Sequence, residues 1–223
     1  MIRTVPETGS TNDDVAALAR EGAPEGLWLR ADRQSGGKGR QGRAWQSPSG
    51  NLHASTLVRL QPGDPPAPTL ALVAAVALHE AVRRHAPGAR IKWPNDLLVD
   101  GAKLAGILLE RQGNAVVVGF GVNLAQHPED LDRPATSLKP PVAPDLFLER
   151  LAAVFASWLG IWRSEGLAPI RAAWLAAAHP IGAALTTSDS RGTFDGLDES
   201  GALRLRLEDG ALRIIHAGDV FLL

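Results

Sequence analysis

The sequence predicts an α+β fold: a mixed or antiparallel sheet with packed helices over residues 1–180, followed by a small barrel-like β domain over residues 181–223. Two observations in the first part lead to this prediction, namely alanine- and leucine-rich helical patterns and apolar runs separated only by short turns. The third observation is a change after residue 180, where short alternating runs are split by turn sequences at residues 198–201 and 208–210.

The first predicted helix follows the residues Ser-Thr-Asn at positions 10–12. An apolar run at residues 15–19 comes next, and two aspartates lie in the first predicted turn. Polar side chains cap free backbone amides, and carboxylates suit the positive end of the helix dipole. The Gly and Pro of residues 22–24 end this helix, and strands are predicted at residues 27–31 and 52–60.

The middle of the chain alternates a long helix with a group of strands. Residues 69–85 have a helical pattern that ends before Pro87 and Gly88. Strands are then predicted at residues 91–93, 97–99, 104–109 and 115–122, and Asp100-Gly101 predicts a hairpin turn. A proline-rich loop spans about residues 126–144. Two more helices, at residues 146–162 and 169–178, carry the predicted core residues Trp158, Trp162 and Trp174.

Composition limits the class of protein. The chain has 223 residues, of which 45% are hydrophobic and 21% charged, as expected for a soluble globular protein with a sizeable core. It has no cysteine, which excludes disulfides and thiolate chemistry. The first residues do not resemble a signal peptide, and the apolar run at residues 70–78 is too short to span a bilayer. We therefore expect a cytoplasmic protein with no membrane partner.

The most informative stretch is the glycine-rich loop at residues 34–45. Its four glycines allow backbone amides to approach a ligand closely, and no acidic residue occurs between positions 32 and 64. Trp45 adds an aromatic face, and the three cations are Lys38, Arg40 and Arg43. Because the net charge of the chain is −1, any phosphate chemistry must come from such a local cluster.

The loop alone leaves several interpretations open. Its spacing differs from that of a Walker loop and from the dinucleotide-binding fingerprint. It could bind a small phosphate compound with a stacked base, grip a nucleic acid, or be a flexible basic surface loop.

Two further motifs lie on the predicted strands. The residues Lys-Trp-Pro-Asn-Asp at 92–96 leave Asp96 at a turn, and Lys103 begins an apolar strand. A lysine in such a place either extends to solvent or faces an anion. At the end of another strand, two glycines precede Asn123, whose amide can both donate and accept.

In combination, these motifs resemble the biotin–protein ligase family, and the resemblance covers nearly the whole chain. Order and spacing both agree. The matching segments are residues 10–12, 34–45, 47–52, 92–96, 103–110 and 119–124. The resemblance implies a class II synthetase-like catalytic domain with a small C-terminal SH3-like β-barrel. It also implies an enzyme that activates biotin with ATP to biotinyl-5′-AMP and transfers biotin to a lysine of biotin carboxyl carrier protein.

By resemblance, a polar group of residues would bind the biotin ureido ring. These are Ser10, Thr11 and Asn12, with Gln34 nearby, although the first three could also simply cap the helix. Lys38, Gly39 and Arg40 would surround the biotin carboxylate and the α-phosphate. Lys103 would contact both the carboxylate and the charge that develops on phosphorus, so Lys103 and Arg40 are the candidate catalytic residues.

The remaining roles concern the nucleotide. Lys38, Arg40 and Arg43 would contact the phosphates of ATP, Trp45 would lie by the adenine, and Asn123 would contact the adenylate. Asp96 could orient the acceptor lysine or assist a metal, or it could only form the turn. Mg²⁺ is expected with the triphosphate, but no cluster of residues makes a dedicated metal site.

The sequence departs from the family at one position and lacks one of its modules. The family loop commonly reads Gly-Arg-Gly-Arg, whereas Lys38 stands here at the first cation and lacks the bidentate guanidinium. Because the ligase motif begins at Ser10, we expect the monofunctional class, without an N-terminal winged helix-turn-helix.

Three alternatives share some of these features: a lipoate or octanoate ligase on a related fold, a nucleic-acid-binding module, and a protein that binds biotin without catalysis. The loop at residues 34–45 favours biotin, and the net charge of −1 disfavours nucleic acid. The expected partner is the carrier-protein subunit of acetyl-CoA carboxylase or another biotin-dependent carboxylase. The exposed edge of the sheet could also pair two subunits as a homodimer.

Overall fold

A computed structural model describes residues 1–129 and 133–222. Its larger sheet has seven strands in the order β1-β2-β3-β7-β6-β5-β4. These strands are β1 (Ile2–Thr8), β2 (Trp28–Gln34), β3 (Leu52–Arg59), β4 (Arg90–Lys92), β5 (Asp96–Val99), β6 (Ala102–Gln112) and β7 (Ala115–Val122). Strands β1 and β2 run parallel, and the other neighbours pair antiparallel. The sheet is therefore mixed, as predicted.

Four helices pack on this sheet. They are α1 (Thr11–Arg20), α2 (Leu70–Val82), α3 (Pro144–Glu165) and α4 (Leu167–Ala177), which confirms the four predicted helices. Helix α1 begins where expected, since the Ser10 hydroxyl accepts a hydrogen bond from the backbone N–H of Asp13 and two aspartates follow in the first turn. Asp100 and Gly101 both have positive φ at the turn between β5 and β6, which confirms the predicted hairpin.

The sheet separates two apolar clusters. Helices α2 and α3 cover one face, where the Trp28 and Phe120 rings stack 5.5 Å apart and Phe155 meets both edge-on. Helix α1 covers part of the other face with a smaller cluster around Val15, Leu29, Leu57 and Val117. The cavity described below lies beside the first turn of α1, over residues 106–108 of β6 and 119–121 of β7.

Strand β1 was not predicted. Its side chains are mostly exposed, so the sequence has no buried apolar alternation there, and Pro6 interrupts it. The strand forms because its backbone pairs with β2 from Ile2 to Thr8. This edge position explains why Pro6 is tolerated.

Residues 184–222 form a second sheet of five antiparallel strands in the order β11-β10-β9-β8-β12. They are β8 (Ala184–Thr186), β9 (Arg191–Leu197), β10 (Leu203–Leu207), β11 (Leu212–Ile215) and β12 (Phe221–Leu222). This sheet packs on the rest of the chain through Trp174 against Phe194 and a hydrogen bond from the Trp93 indole to the Gly201 carbonyl. The domain boundary near residue 180 stays a prediction.

Across the described residues, no helix combines the length and the apolar character that crossing a bilayer requires.

The aromatic cluster on α3 leads to a stability prediction. Replacing Phe155, which is 3% exposed, by alanine removes both ring contacts and leaves a cavity. We expect the free energy of unfolding, measured by urea denaturation, to fall by about 3–5 kcal/mol. On the same helix, Leu146 is 66% exposed, so Leu146→Ala serves as the control and should change it by less than about 0.5 kcal/mol. Equal losses in the two variants would contradict this account of the core.

Candidate active site

A cavity of about 490 Å³ opens on the face of the larger sheet beside the start of α1. It collects residues from both ends of the chain, including Asp219 and Phe221 of the second sheet. Every residue that the sequence analysis selected lines it, except Asn123. The predicted residues in the lining are Ser10, Thr11, Asn12, Gln34, Lys38, Gly39, Arg40, Arg43, Trp45, Asp96 and Lys103.

Glycines on β6 and β7 make the floor of this cavity. Gly106 pairs with Gly121 across the two strands, and Gly119 lies two residues before Gly121 on the same face. A β-carbon at Gly121 would overlap the indole of Trp45, and one at Gly119 would overlap the amide of Asn12. Because these glycines have no side chains, Trp45 and Asn12 can pack directly on the backbone of the sheet.

One end of the cavity is lined by uncharged polar groups. The Thr11 backbone N–H donates to Gln34 Oε1 at 2.8 Å, and the Gln34 amide donates to the Ser47 hydroxyl at 2.9 Å. Behind them, the buried Ser55 hydroxyl lies 2.7 Å from the Thr11 hydroxyl and 2.6 Å from Asn12 Oδ1. The end is therefore rigid, and it suits a neutral ligand group rich in hydrogen-bond donors and acceptors.

Positive charge surrounds the middle of the cavity. Asp96 lies between two lysines. Lys103 Nζ is 2.7 Å from Asp96 Oδ1, an ion pair whose angles do not suit a hydrogen bond, and Lys92 Nζ is 3.2 Å from Asp96 Oδ2. Burial alone would raise the pKa of the Asp96 carboxyl, but the ammonium groups of Lys103 and Lys92 outweigh burial and hold that pKa below its ordinary value. Asp96 is thus an anion that fixes the positions of two cations.

The glycine-rich loop supplies the other cations, and each has a partner within the protein. Lys38 donates to the Asp13 carboxylate at 2.6 and 2.8 Å, a hydrogen bond that raises the pKa of Lys38. Arg40 donates to the Gly218 carbonyl at 3.2 Å and to Asn95 Oδ1 at 3.3 Å. Arg43 pairs with Asp219. The loop is therefore tied to α1 at one point and to the second sheet at two.

The indole of Trp45 covers the glycine floor. Its ring contacts Gly106 and Gly121, and the Lys103 ammonium is 5.5 Å from its centroid. Its indole N–H is buried and has no hydrogen-bond partner within the described part of the chain. The indole thus joins the neutral end of the cavity to the cationic middle.

The comparisons with known proteins agree with this geometry. Residues 7–125 match the model of the biotin/lipoate A/B protein ligase family, and residues 184–223 match that of the biotin protein ligase C terminal domain. The chain is 43% identical to a biotin–[acetyl-CoA-carboxylase] ligase of Paracoccus denitrificans, across 96% of this chain and 97% of that one. The chain belongs to the biotin protein ligase family.

Other members agree over similar spans. A biotin–[acetyl-CoA-carboxylase] ligase of Mycobacterium tuberculosis is 35% identical over 97% of this chain and 86% of its own length. The bifunctional ligase/repressor BirA of Bacillus subtilis is 34% identical over 93% of this chain and 70% of its own length. The fold resembles that of the biotin protein ligase from Aquifex aeolicus in complex with biotin and ATP, with a TM-score of 0.87, 24% identity and coverage of 100% and 99%.

Asn123 is the predicted ligand-binding residue that the structure does not bring to the cavity. It is buried, and its amide nitrogen donates to the Thr136 carbonyl at 3.0 Å. Its backbone N–H donates to the Leu104 carbonyl at 2.9 Å. The side chain thus joins the end of β7 to the following loop, and its contact with an adenylate stays a prediction.

Sequence reasoning missed three residues of the site. Ser55 and Glu110 contact Asn12 from β3 and β6, and Asp219 binds the loop cations from the second sheet. Ser55 and Glu110 had no signal of their own, because the residue they contact, Asn12, lies 43 and 98 positions away in the chain. For Asp219, the unpaired cations of the loop were a usable signal, because partly buried arginines need acidic partners.

The lysine–aspartate cluster leads to a prediction on stability. Asp96→Asn keeps the shape but leaves Lys92 and Lys103 without a counter-charge, so we expect a loss on the order of 3 kcal/mol at pH 7 by urea denaturation. Because the folded-state pKa of Asp96 lies below its unfolded value, this stabilisation is complete above about pH 4 and is lost as the pH falls through the folded pKa.

The control is Asp100→Asn at the exposed hairpin turn, where asparagine tolerates the positive φ of 50°. It should change stability little at any pH. If the difference between wild type and Asp96→Asn stays constant from pH 7 to pH 3, the carboxylate is not charged as described.

Proposed function

We propose that this enzyme activates biotin with ATP to biotinyl-5′-AMP and then transfers the biotinyl group to a lysine of biotin carboxyl carrier protein. The observation that carries the proposal is the joining, in one cavity, of a neutral polar end at Thr11 and Gln34 to a cationic middle around Lys103 and Arg40. Biotin has the same two-part character, a neutral ureido ring and a carboxylate.

The first step brings two anions together, because the biotin carboxylate attacks the α-phosphate of ATP and pyrophosphate leaves. Lys103 and Arg40 both line the cavity, and in this proposal they neutralise the charge that develops on phosphorus. Lys38 would join them after release from Asp13. Positioning and charge neutralisation suffice for this step, so no nucleophilic side chain is needed.

The nucleotide would lie toward the second sheet. Arg43, which is 47% exposed, is available to the outer phosphates once Asp219 gives way, and Trp45 offers a face for the adenine. Mg²⁺ is proposed as a companion of the triphosphate. The described residues contain no group of three or more side chains suited to a metal, and Asp96 is held by two lysines, which does not favour a protein-held ion.

In the second step, the acceptor lysine attacks the mixed anhydride and AMP leaves. The lowered pKa of Asp96 makes it a weak base, which favours a role in holding Lys92 and Lys103 over removal of a proton from the acceptor. The acceptor is proposed from the name of the Paracoccus relative, which specifies acetyl-CoA carboxylase. We infer a cytoplasmic site of action and no nucleic-acid partner. We also propose that a second copy of the chain pairs with the exposed edge of β1 to form a homodimer. Sedimentation velocity measures whether the protein is a monomer or a dimer in solution.

Substrate choice is tested by pyrophosphate release from ATP with biotin, lipoate or octanoate. We expect release with biotin alone among the three, because lipoate and octanoate have no ureido group for Thr11 and Gln34. Transfer is then followed by mass spectrometry of an isolated carrier domain, which should gain one biotinyl group. Release with lipoate or octanoate but not with biotin would overturn the proposal.

Lys103→Ala tests the chemistry. We expect kcat for pyrophosphate release to fall by about 100-fold or more, because a cation facing the developing charge is lost. Lys139→Ala is the matched control, since Lys139 is exposed and does not line the cavity. Near-normal biotinyl-AMP formation by Lys103→Ala would remove this lysine from the mechanism.

A further inference from the structure

Behind the neutral end of the cavity, five side chains form a continuous chain of close polar contacts. Glu110 on β6 accepts from the Asn12 amide at 2.7 Å, and Ser55 on β3 joins Asn12 to Thr11. The Thr11 hydroxyl also lies 3.0 Å from Gln34 Oε1. Ser55 is fully buried and Asn12 is 5% exposed, so water does not supply alternative partners there.

The carboxylate of Glu110 sets the direction of this chain. An ionised carboxylate only accepts hydrogen bonds, so Asn12 must turn its NH₂ group toward Glu110. The amide oxygen of Asn12 then faces Ser55, and the Ser55 hydroxyl must donate its hydrogen to it across 2.6 Å. Having used its hydrogen, Ser55 can only accept from Thr11 across 2.7 Å.

The count of hydrogens leaves the chain one short. The Thr11 hydroxyl has one hydrogen, and the short contact with Ser55 requires it. The Gln34 amide oxygen already faces the Thr11 backbone N–H, with its NH₂ group turned to Ser47. The 3.0 Å contact between Thr11 Oγ1 and Gln34 Oε1 is therefore between two acceptors with no hydrogen between them.

This deficit lies at the cavity, because Thr11 and Gln34 both line it and Glu110 does not. A ligand N–H directed between the two oxygens supplies the missing hydrogen. A ligand oxygen in the same place would add a third acceptor and leave all three unsatisfied, which is costly in a buried site.

We propose that Glu110 and Ser55 are positioning residues that fix the Thr11 hydroxyl as an acceptor, and that the site thereby selects a ligand with an N–H group at this point. This inference rests on the proposed function, in which the ligand is biotin and the N–H belongs to its ureido ring. Neither residue is part of the cavity lining. They act through Asn12 and Thr11, and they decide the polarity of the contact rather than its shape.

Glu110→Gln tests the polarity directly. The new amide can donate to Asn12, so Asn12 can turn round and donate to Ser55, Ser55 to Thr11, and Thr11 to Gln34. Each contact in the chain is then a hydrogen bond even when no ligand is bound. Ser55→Ala reaches a similar end by another route, because Thr11 is free to donate to Gln34. Glu149→Gln, the same chemical change at an exposed position on α3, is the matched control.

The measurement is the Kd, by isothermal titration calorimetry, of biotin and of the two cyclic carbamate analogues in which one ureido N–H is replaced by oxygen. For wild type and Glu149→Gln, we expect one carbamate to bind about 10- to 100-fold more weakly than biotin. In Glu110→Gln and Ser55→Ala, biotin should bind more weakly, and the ratio of carbamate Kd to biotin Kd should fall by about 10-fold.

The ratio separates selection from damage. A purely structural role for Glu110 and Ser55 would weaken all three ligands in proportion and leave the ratio at its wild-type value, which overturns the inference. If Glu110→Gln does not fold, as judged by its circular dichroism, the ratio for Ser55→Ala decides. If wild type itself fails to bind biotin, the proposed function fails and the inference with it. If wild type binds biotin but the ratio is unchanged in both variants, only the inference fails.

Discussion

The structure depends on the need to hold several positive charges close together without an anion present. The described cavity brings Lys38, Lys92 and Lys103 near Arg40 and Arg43, and like charges at such spacing repel. The protein offsets this repulsion with its own carboxylates, one in each region. Asp13 holds Lys38, Asp96 holds Lys92 and Lys103, and Asp219 meets the two arginines. Each carboxylate balances positive charge that would otherwise be unpaired.

The three carboxylates differ in how easily their cations can change partners. Asp96 is buried and lies at the end of a strand, so its pairs with Lys92 and Lys103 form part of the fold. The Lys38–Asp13 pair is about half exposed on both sides, and water and salt weaken it. The cavity thus combines a rigid inner cluster of Asp96 with two lysines and a labile outer pair of Lys38 with Asp13.

Much of this arrangement could be predicted from the sequence, because many of its determinants are local. The cap of α1, the Asp100-Gly101 hairpin and the glycine-rich loop depend on residues adjacent in the chain. Strand β1 could not be found, since an exposed edge strand has no buried alternation and its pairing partner lies some 26 positions away, at Trp28 for Ile2. The order of residues likewise does not reveal that Glu110 meets Asn12 across 98 positions, or that Asn123 turns away from the cavity.

The contact between the glycine-rich loop and the second sheet has a further consequence. Arg43 and Asp219 are 176 residues apart, and Arg40 reaches the same turn at Gly218. A ligand that draws either arginine away changes the free energy of the contact between the five-stranded sheet and the seven-stranded sheet. By reciprocity, whatever holds that sheet in place must change the affinity for the ligand by the same factor. A protein docking against the five-stranded sheet therefore has a thermodynamic route to ligand binding in the cavity that Arg40 and Arg43 line, without touching the cavity itself.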